Sequence, residues 1–399
     1  MKNSLRLAYF SPLPPARTGI ADYSRELLPD LARLSEVTLF AGHPAEVDES
    51  LRQQMSVRPM EAYPSERWGF DATIYQMGNS LHHESVYRML CEYPGIAVLH
   101  EHGLHHFVAE RTVGRGDNSG YVREMGYALG VAGARWAREV VKGIRPYPLF
   151  EVPLSDRVLA ASLGLVVHSQ YLRSLIHQRY PDLALSVIPA PVGMNSGSSR
   201  RSELGWPSDA IIFASAGQIT AAKQVDQSLR AFARLRESVP QATYLVIGEW
   251  RQATLNLAEL VAELGLESAV KHTGFVDDLH DFVDWIATAD VVLNLRYPTV
   301  GETSATALRA LAGGRPLIVC DVGGYSELPD EVCLKVPPQE ESALLAAMRR
   351  LAGDGDLRQK MGQAAAAYAR RVHHPARAAE QYMTFIRQVL SNLVGSLMG

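Results

Sequence analysis

The sequence predicts an α/β protein built from two Rossmann-like, doubly wound domains. Its 399 residues exceed what one hydrophobic core usually serves. Short apolar runs alternate with amphipathic stretches, which is the pattern of parallel strands joined by crossover helices. A small, polar and basic segment, 194–208, interrupts this pattern, and the pattern then restarts. We therefore expect two domains of nearly equal size joined by a linker.

The composition excludes some classes of protein. Apolar residues make up 47% of the chain and charged residues 21%, the balance of a folded globular protein. A formal net charge of −4 and the lack of a long Lys/Arg block argue against a nucleic-acid partner, whose binding relies on phosphate neutralisation. The three cysteines, Cys91, Cys320 and Cys333, lack the spacing of zinc or redox pairs, which favours a cytoplasmic location.

The apolar runs are too short for export or membrane insertion. The first of them, Leu5–Phe10, stops before Pro12 and is interpreted as a buried strand rather than a signal peptide. No run approaches the roughly twenty apolar residues that span a bilayer. Peripheral contact with the inner face of a membrane remains possible in this interpretation.

The first domain, residues 1–193, contains six predicted strands. Helical patterns cover Ile20–Leu34 and Tyr171–Arg179, and a Gly- and Arg-rich, mostly helical insertion covers 113–157. The predicted strands are Leu5–Phe10, Val37–Phe40, Ala72–Gln76, Ile96–His100, Gly164–His168 and Ser186–Ile188.

The second domain, residues 209–374, repeats the pattern after the linker at 194–208. The last segment, 375–399, reads as a long amphipathic helix that could pack back on the first domain. The predicted strands of the second domain are Ile211–Ala216, Thr243–Ile247, Val270–Thr273, Val291–Leu295 and Leu317–Cys320.

Ligands of open parallel sheets bind beyond the carboxyl ends of the strands, so the loops there are the candidate site. The first such loop, Ser11–Asp22, places Gly19 at the start of a helix, where backbone N–H groups could receive an anion. An ordinary Pro/Gly turn explains this loop equally well.

Histidines cluster after the strand that begins at Ile96. His100 ends this strand, and His102, His105 and His106 follow it. We interpret His100 as a substrate contact; a metal ligand or a core histidine are the alternatives. Asn79 and His83 follow the preceding strand and face the same rim.

The loop that opens the second domain carries a lysine. Gly217 and Gln218 follow the strand, and Lys223 precedes the next helix, where an ammonium could clamp a diphosphate. The GxxxxGK[ST] pattern of a P-loop is absent. The alternative is a solvated surface lysine.

The fourth loop lies between Arg296 and Pro316. Thr303 or Ser304 can cap a helix that runs to about Ala312, which places Glu302 at its mouth and Arg309 on nearly the same face. The alternative is a capping acid paired with an arginine. Two acidic pairs, Asp354/Asp356 and Asp277/Asp278, are interpreted as helix caps rather than metal ligands.

At these residues the sequence resembles the retaining glycosyltransferases of family 4, which have the GT-B fold. The resemblance covers nearly the whole chain and is strongest in the second domain. It lies in the Gly217–Lys223 loop, LVIGE ending at Glu249, HTGFV ending at Val276, GETS with RALAGGRPLIV, and DVGGYSEL from Asp321 to Leu328. In the first domain it lies in the Gly19 loop, VLHEH around His100, and VVHSQYLR from Val166 to Arg173.

The resemblance implies a cleft between the domains as the active site. A UDP- or GDP-sugar would be held by the second domain and an acceptor by the first, with no obligatory metal or cofactor. Residues implied to bind the donor are Gly19, Gly217, Gln218, Lys223, Phe275, Val276, Glu302, Thr303, Ser304 and Arg309, with Lys223 at the diphosphate and Phe275 and Val276 at the base. His100, Lys223 and Glu302 would be catalytic, and Asp22, Asn79, His83 and His102 would face the acceptor.

The chain departs from the family at three positions. Gln218 stands where many members have an arginine, and Gly301 and Arg309 align without gaps with two glutamates. Glu302 can take the first acidic role through a one-residue shift, while Arg309 replaces the acid expected at the ribose and could instead contact the diphosphate.

The predicted reaction is transfer of a hexose-type residue, with retention, to a hydroxyl acceptor on a glycan, a lipid-linked molecule or a small molecule. The altered acidic positions motivate one rival, a noncatalytic nucleotide-sugar or glycan-binding protein. A second rival is another GT-B enzyme, such as a sugar-nucleotide epimerase. A phosphorylase is disfavoured because no lysine stands in a convincing pyridoxal-phosphate setting.

Overall fold

The computed structural model describes residues 4–249 and 256–398. Two compact units divide this chain. The first takes in the residues up to Pro191, Val300–Thr303 and the chain from Pro375 onward, and the second takes in Val192–Thr299 and Ser304–His374.

The first unit is built on a seven-stranded, all-parallel sheet in the order β3-β2-β1-β4-β5-β6-β7. The strands are β1 (Arg6–Phe10), β2 (Glu36–Ala41), β3 (Ser56–Pro59), β4 (Ala72–Met77), β5 (Gly95–Leu99), β6 (Ser162–Val167) and β7 (Leu185–Val187). The central strands are buried, as expected of a parallel sheet covered on both faces.

The helices of the first unit connect these strands. They are α1 (Gly19–Leu34), α2 (Glu49–Gln54), α3 (Tyr63–Glu66), α4 (Glu84–Glu92), α5 (His105–Arg111), α6 (Asn118–Val141), α7 (Asp156–Ala160) and α8 (Gln170–Arg179). Thr18 caps α1 by accepting a hydrogen bond from the backbone of Ala21 at 3.0 Å, and Gly19 is the first residue of this helix.

The second unit has a six-stranded parallel sheet in the order β10-β9-β8-β11-β12-β13. Its strands are β8 (Ile211–Ala216), β9 (Ala242–Ile247), β10 (Val270–His272), β11 (Val291–Asn294), β12 (Leu317–Cys320) and β13 (Cys333–Val336). Its helices are α9 (Val225–Arg236), α10 (Leu257–Glu263), α11 (Leu279–Thr288), α12 (Ala305–Ala312), α13 (Glu341–Gly353) and α14 (Gly355–Val372).

The last helix, α15 (Pro375–Met398), belongs to the first unit and packs on α1. The hydroxyls of Tyr23 and Tyr382 join the two helices at 2.6 Å, and both side chains are buried. The segment interpreted as a linker is attached to the second unit: the backbone of Ser198 donates to Asp284 at 2.7 Å, and Arg201 pairs with Asp290 at 2.6 Å.

Candidate functional site

In the second unit, two glycines let two strand ends approach closely. Gly217 follows β8 with φ of +93°, and its N–H donates to the carbonyl of Ile247 at 2.8 Å. Gly248 follows β9 with φ of +120°, and a side chain there would overlap the Gly217 carbonyl. A Cβ at Gly217 would lie 2.7 Å from the ammonium of Lys223. The turn therefore requires glycine at both positions.

Lys223 is buried beside this turn, which rules out the solvated surface lysine considered above. Its side chain is 9% exposed, and its ammonium donates to the carbonyl of Ala216. Burial, with the nearby Arg296 guanidinium, lowers the pKa of Lys223 to about 7. Lys223 forms no ion pair with any residue that the structure describes. Two cations thus lie together where an anion would stabilise both.

The loop after β11 is fixed to the lysine loop. Tyr297, which directly follows Arg296 in the sequence, donates its N–H to the carbonyl of Ala222 at 2.8 Å. Gln218, the position at which the resemblance leads one to expect an arginine, is exposed. Arg296 follows a different strand and therefore brings a second cation close to Lys223. The sequence does not predict this proximity, because the two residues are far apart along the chain.

The N-terminus of α12 lies at the same turn. Ser304, not Thr303, is the cap: its hydroxyl accepts from the N–H of Ala307 at 3.2 Å and donates to Asn294 at 2.9 Å. The hydroxyl of Thr306 is 3.2 Å from the position a Gly217 Cβ would take. Backbone amides of a helix start, a threonine hydroxyl and a lysine thus surround one small volume.

An exposed aromatic ring lies on a loop tied to the glycine turn. Phe275 is 51% exposed. The preceding Thr273 accepts a hydrogen bond from the N–H of Gly248 at 3.0 Å, and Gly248 also bridges to Gly274. Phe275 and its half-buried neighbour Val276 therefore follow the turn that carries the candidate anion site.

The two altered glutamate positions have different explanations. Gly301 has φ of +83°, and a side chain there would overlap Leu172, so a glutamate does not fit. The adjacent Glu302 accepts a hydrogen bond from the N–H of Val300 at 2.9 Å. Arg309 lies within α12 and is only 4% exposed. A side chain that contacts a ribose would be expected to be accessible, whereas that of Arg309 is buried.

In the first unit, His100 lies just beyond β5, one residue after the strand ends. Its Nε2 is 2.7 Å from the side-chain amide of Gln76, and its Nδ1 is 3.3 Å from Nε2 of His168. His168 Nδ1 lies 2.8 Å from the carbonyl oxygen of Ile188. The ring of Tyr23 packs edge-on against His100 at 4.6 Å. Both ring nitrogens of His100 thus already have protein partners.

These contacts determine the tautomers of the pair. The Ile188 carbonyl only accepts, so His168 carries its proton on Nδ1. Burial and the neighbouring His168 lower the pKa of His100 well below its usual value, so the His100 ring is neutral. Opposite a neutral His168 that donates from Nδ1, His100 must donate from its own Nδ1. His100 Nε2 then accepts, which requires the amide nitrogen of Gln76 to face it. This orientation also gives that nitrogen a partner, which it otherwise lacks among the described residues.

Two of the residues expected to face the acceptor are used inside the unit. Asn79 accepts a hydrogen bond from the N–H of Phe107 at 2.8 Å. His83 is 1% exposed, its Nδ1 contacts the Gln76 carbonyl at 3.0 Å, and burial lowers its pKa to about 4.

The other predicted residues of this rim are half-buried or exposed. His102 is half-buried, with Nδ1 at 3.2 Å from the Ser155 hydroxyl, and burial lowers its pKa. Asp22 is half-buried in the first turn of α1. Gly19 is exposed, and a Cβ built there meets no atom within 4 Å. The described residues around Gly19 therefore leave room for an approaching ligand.

One group of side chains could ligate a metal. Asp278, His280 and Asp281 are close enough to share an ion. However, Asp278 caps α11 and Asp281 pairs with Arg200, so both carboxylates already have structural roles. Asp354, the first residue of the other acidic pair, caps α14. Within the described ranges, no helix combines the length and apolar character needed to cross a membrane.

Comparison with known proteins relates these features to a family. Residues 198–368 match the family described as glycosyl transferases group 1. The chain is 28% identical over 252 residues to D-inositol 3-phosphate glycosyltransferase of Saccharomonospora viridis, covering 58% of this chain and 57% of that protein. It is 28% identical over 177 residues to alpha-D-kanosaminyltransferase of Streptomyces kanamyceticus, covering 43% and 44%. The chain thus spans about half the length of these curated relatives.

Solved structures share the fold over almost the whole chain. Sucrose-phosphate synthase of Thermosynechococcus elongatus superposes with a TM-score of 0.68 at 18% identity, covering 97% of this chain and 100% of that chain. Anabaena HepE in complex with UDP and glucose superposes with a TM-score of 0.64 at 15% identity, covering 96% and 100%. The two parallel sheets and these likenesses confirm the prediction of a GT-B fold.

Proposed function

From the family 4-like, GT-B character that these comparisons confirm, we propose that this protein transfers a sugar from a nucleoside-diphosphate sugar to a hydroxyl acceptor with retention of configuration. The observation that carries the proposal is the buried Lys223 at the Gly217 turn, with Arg296 beside it. Burying the Lys223 ammonium against a single carbonyl costs stability, and a bound diphosphate would offset that cost.

The reaction requires stabilisation of a leaving group. As the bond from the anomeric carbon to the diphosphate breaks, its electron pair moves to the phosphate oxygen, and negative charge grows there. The ammonium of Lys223, the backbone around Gly217 and the N-terminus of α12 would stabilise that charge. Their positions are preset by the hydrogen bonds of Ala216 and Ser304, so little reorganisation is needed during the reaction.

The donor would be a UDP- or GDP-sugar whose base lies against Phe275. A ring that is 51% exposed beside the turn offers a stacking surface, and Anabaena HepE, which shares the fold, was solved in complex with UDP and with UDP-glucose. Glu302 would act at the sugar, because the backbone at Gly301 leaves the adjacent residue as the place for an acid.

The acceptor would bind to the first unit. Asp22 and His102 are the candidate contacts, because both side chains are half-buried, whereas His83 is buried and Asn79 accepts from the N–H of Phe107. His100 would form a wall of the sugar site rather than transfer protons, since both its nitrogens have partners. We further propose that the protein acts in the cytoplasm and without an obligatory metal ion.

A thermal-shift screen with UDP-, GDP- and ADP-sugars tests the donor, because a ligand that binds only the native state raises apparent stability. The selected donor is then incubated with candidate acceptors in EDTA, and the anomeric configuration of the product is read by NMR. We expect an α-linked product from an α-linked donor. Donor binding without product would indicate a noncatalytic binding protein, and donor consumption without acceptor would indicate an epimerase.

A further inference from the structure

The insertion between β5 and β6 contains a helical hairpin. Within α6, Gly130 has φ of +65° and ψ of −149°, which breaks the helix into two arms. The arms pack closely: a side chain at Gly133 would overlap the Met125 carbonyl, and a Cβ at Gly126 would lie 3.4 Å from the Cβ of Ala134. The first arm is held to the unit by Arg157, which pairs with Glu124 at 2.6 Å.

The second arm has one buried face and one exposed face. Gly133, Ala137 and Val140 are buried, at helical spacing. The opposite face carries Val131, Arg135, Arg138 and Lys142, whose spacing of four, three and four residues places them in one row. All four of these side chains are exposed.

This surface concentrates exposed apolar side chains. Of the 14 large apolar side chains that are exposed in the described part of the chain, six lie between residues 127 and 150. Val131, at the start of the exposed row, is 87% exposed, and Ile144, just beyond its end, is 68% exposed. The other four are Tyr127, Leu129, Tyr147 and Phe150. Such a concentration usually marks an interaction surface.

The same surface is positively charged, although the whole chain carries −4. Residues 131–150 contain four cationic residues and one acid, Glu139. Glu139 pairs with Arg135 at 3.6 Å and with Arg145 at 3.1 Å. Arg138 and Lys142 form no ion pair within residues 4–249 or 256–398, so their charges face solvent.

We propose that the second arm of α6 and the loop to Phe150 dock this protein on the surface of an anionic lipid bilayer. The cationic row would lie along the lipid phosphates while Val131 and Ile144 enter the boundary of the acyl chains. A nucleic acid would use the cations but gain little from exposed aliphatic side chains at both ends of the row. Cationic and aliphatic side chains on one surface fit the boundary between the anionic headgroups and the acyl chains of a bilayer.

Co-sedimentation of the full chain with vesicles tests this proposal, without donor or acceptor present. We expect binding to vesicles of phosphatidylcholine with phosphatidylglycerol, release by salt, and little binding to phosphatidylcholine alone. Each basic residue near such a surface contributes about a fivefold factor. Arg138→Gln with Lys142→Gln should therefore lower the partition coefficient on the order of tenfold or more, and Val131→Ser with Ile144→Ser should also lower it.

The control variants make equivalent changes at exposed positions outside the proposed surface. Arg349→Gln with Lys360→Gln removes two exposed cations from the second unit, and Trp68→Ser removes a side chain that is 81% exposed. Neither should change vesicle binding. Equal losses in the control and test variants, equal binding to neutral vesicles, or capture of a soluble polyanion without binding to anionic vesicles would overturn the proposal. Failure of this membrane proposal would leave the proposed sugar transfer standing, because transfer to a soluble acceptor is measured without vesicles.

Discussion

At the scale of single residues, Lys223 couples stability to ligand binding. Its ammonium is buried against the Ala216 carbonyl and close to Arg296, with no carboxylate partner among the described residues. A protein gains nothing in stability from such an arrangement, because desolvating a cation is unfavourable. The arrangement makes sense if an anionic ligand completes it.

Replacing Lys223 by methionine should therefore stabilise the protein without ligand. The pKa falls from 10.5 when the chain is unfolded to about 7 when it is folded, so protonation of the buried amine disfavours the native state. We expect Lys223→Met to raise the free energy of unfolding by about 2 kcal/mol at pH 6, since the lost hydrogen bond to Ala216 offsets part of the gain.

The pH dependence gives this prediction a sign. The native protein binds fewer protons than the unfolded chain between pH 7 and pH 10.5, so the cost of Lys223 falls as the pH rises through that range. The advantage of the methionine variant should shrink accordingly in urea titrations at pH 6, 8 and 10. Its turnover should fall on the order of a hundredfold. An advantage that grows with pH, or normal turnover, would refute the assignment.

The histidine pair of the first unit gives a second prediction. We expect His100 to be neutral and protonated on Nδ1, because a neutral His168 that donates from Nδ1 to the Ile188 carbonyl can only accept at Nε2. Nitrogen-15 NMR of labelled protein distinguishes the two tautomers. A proton on Nε2 of His100 would show that the Gln76 oxygen faces the ring instead.

The sequence reveals one class of site residue and conceals another. Gly217 and Lys223 follow a strand pattern directly, so their place at the sheet edge could be predicted. Arg296 and Thr306 could not be linked to Lys223 and Gly217, nor Gln76 to His100, because each contact joins segments that are distant in sequence. The burial of Arg309 had a signal in the sequence, since its helix has apolar residues all around it.

At the scale of elements, the strand patterns agree with the structure except at the sheet edges. β8 and β12 have the predicted bounds, and the other predicted strands differ from the observed ones by one or two residues at one or both ends. β3 and β13 were not predicted. β3 is mostly exposed at one edge of its sheet and includes a proline, so it lacks the apolar run that identifies a buried strand. β13 is short and half-buried, for the same positional reason.

The close packing of the two arms within α6 depends on Gly133. A methyl group at Gly133 would overlap the Met125 carbonyl of the facing arm, so Gly133→Ala should lower the free energy of unfolding by roughly 1–3 kcal/mol. The control is Gly353→Ala at the end of α13, where a Cβ meets no atom within 4 Å and φ is not positive. There the substitution should be neutral or slightly stabilising. Equal effects of the two substitutions in denaturant titrations would contradict the close packing of the arms.

At the scale of the whole molecule, each unit has its own hydrophobic core. One core gathers residues between Ala8 and Ile176, and the other gathers residues between Phe213 and Met361. We expect calorimetric unfolding in two transitions, one for each unit. A nucleotide sugar should raise the midpoint temperature of the second unit's transition, which is also the transition that Lys223→Met should shift. Movement of the other transition by the ligand would place the donor on the first unit.

The central claim is that a diphosphate binds at the glycine turn of the second unit. A crystal structure of the protein with the nucleotide diphosphate selected by the thermal-shift screen tests it most directly. We expect a phosphate oxygen within hydrogen-bond distance of the Lys223 ammonium and of the backbone at the Gly217 turn. A diphosphate bound away from this turn, with the Lys223 ammonium still held only by Ala216, would contradict the claim.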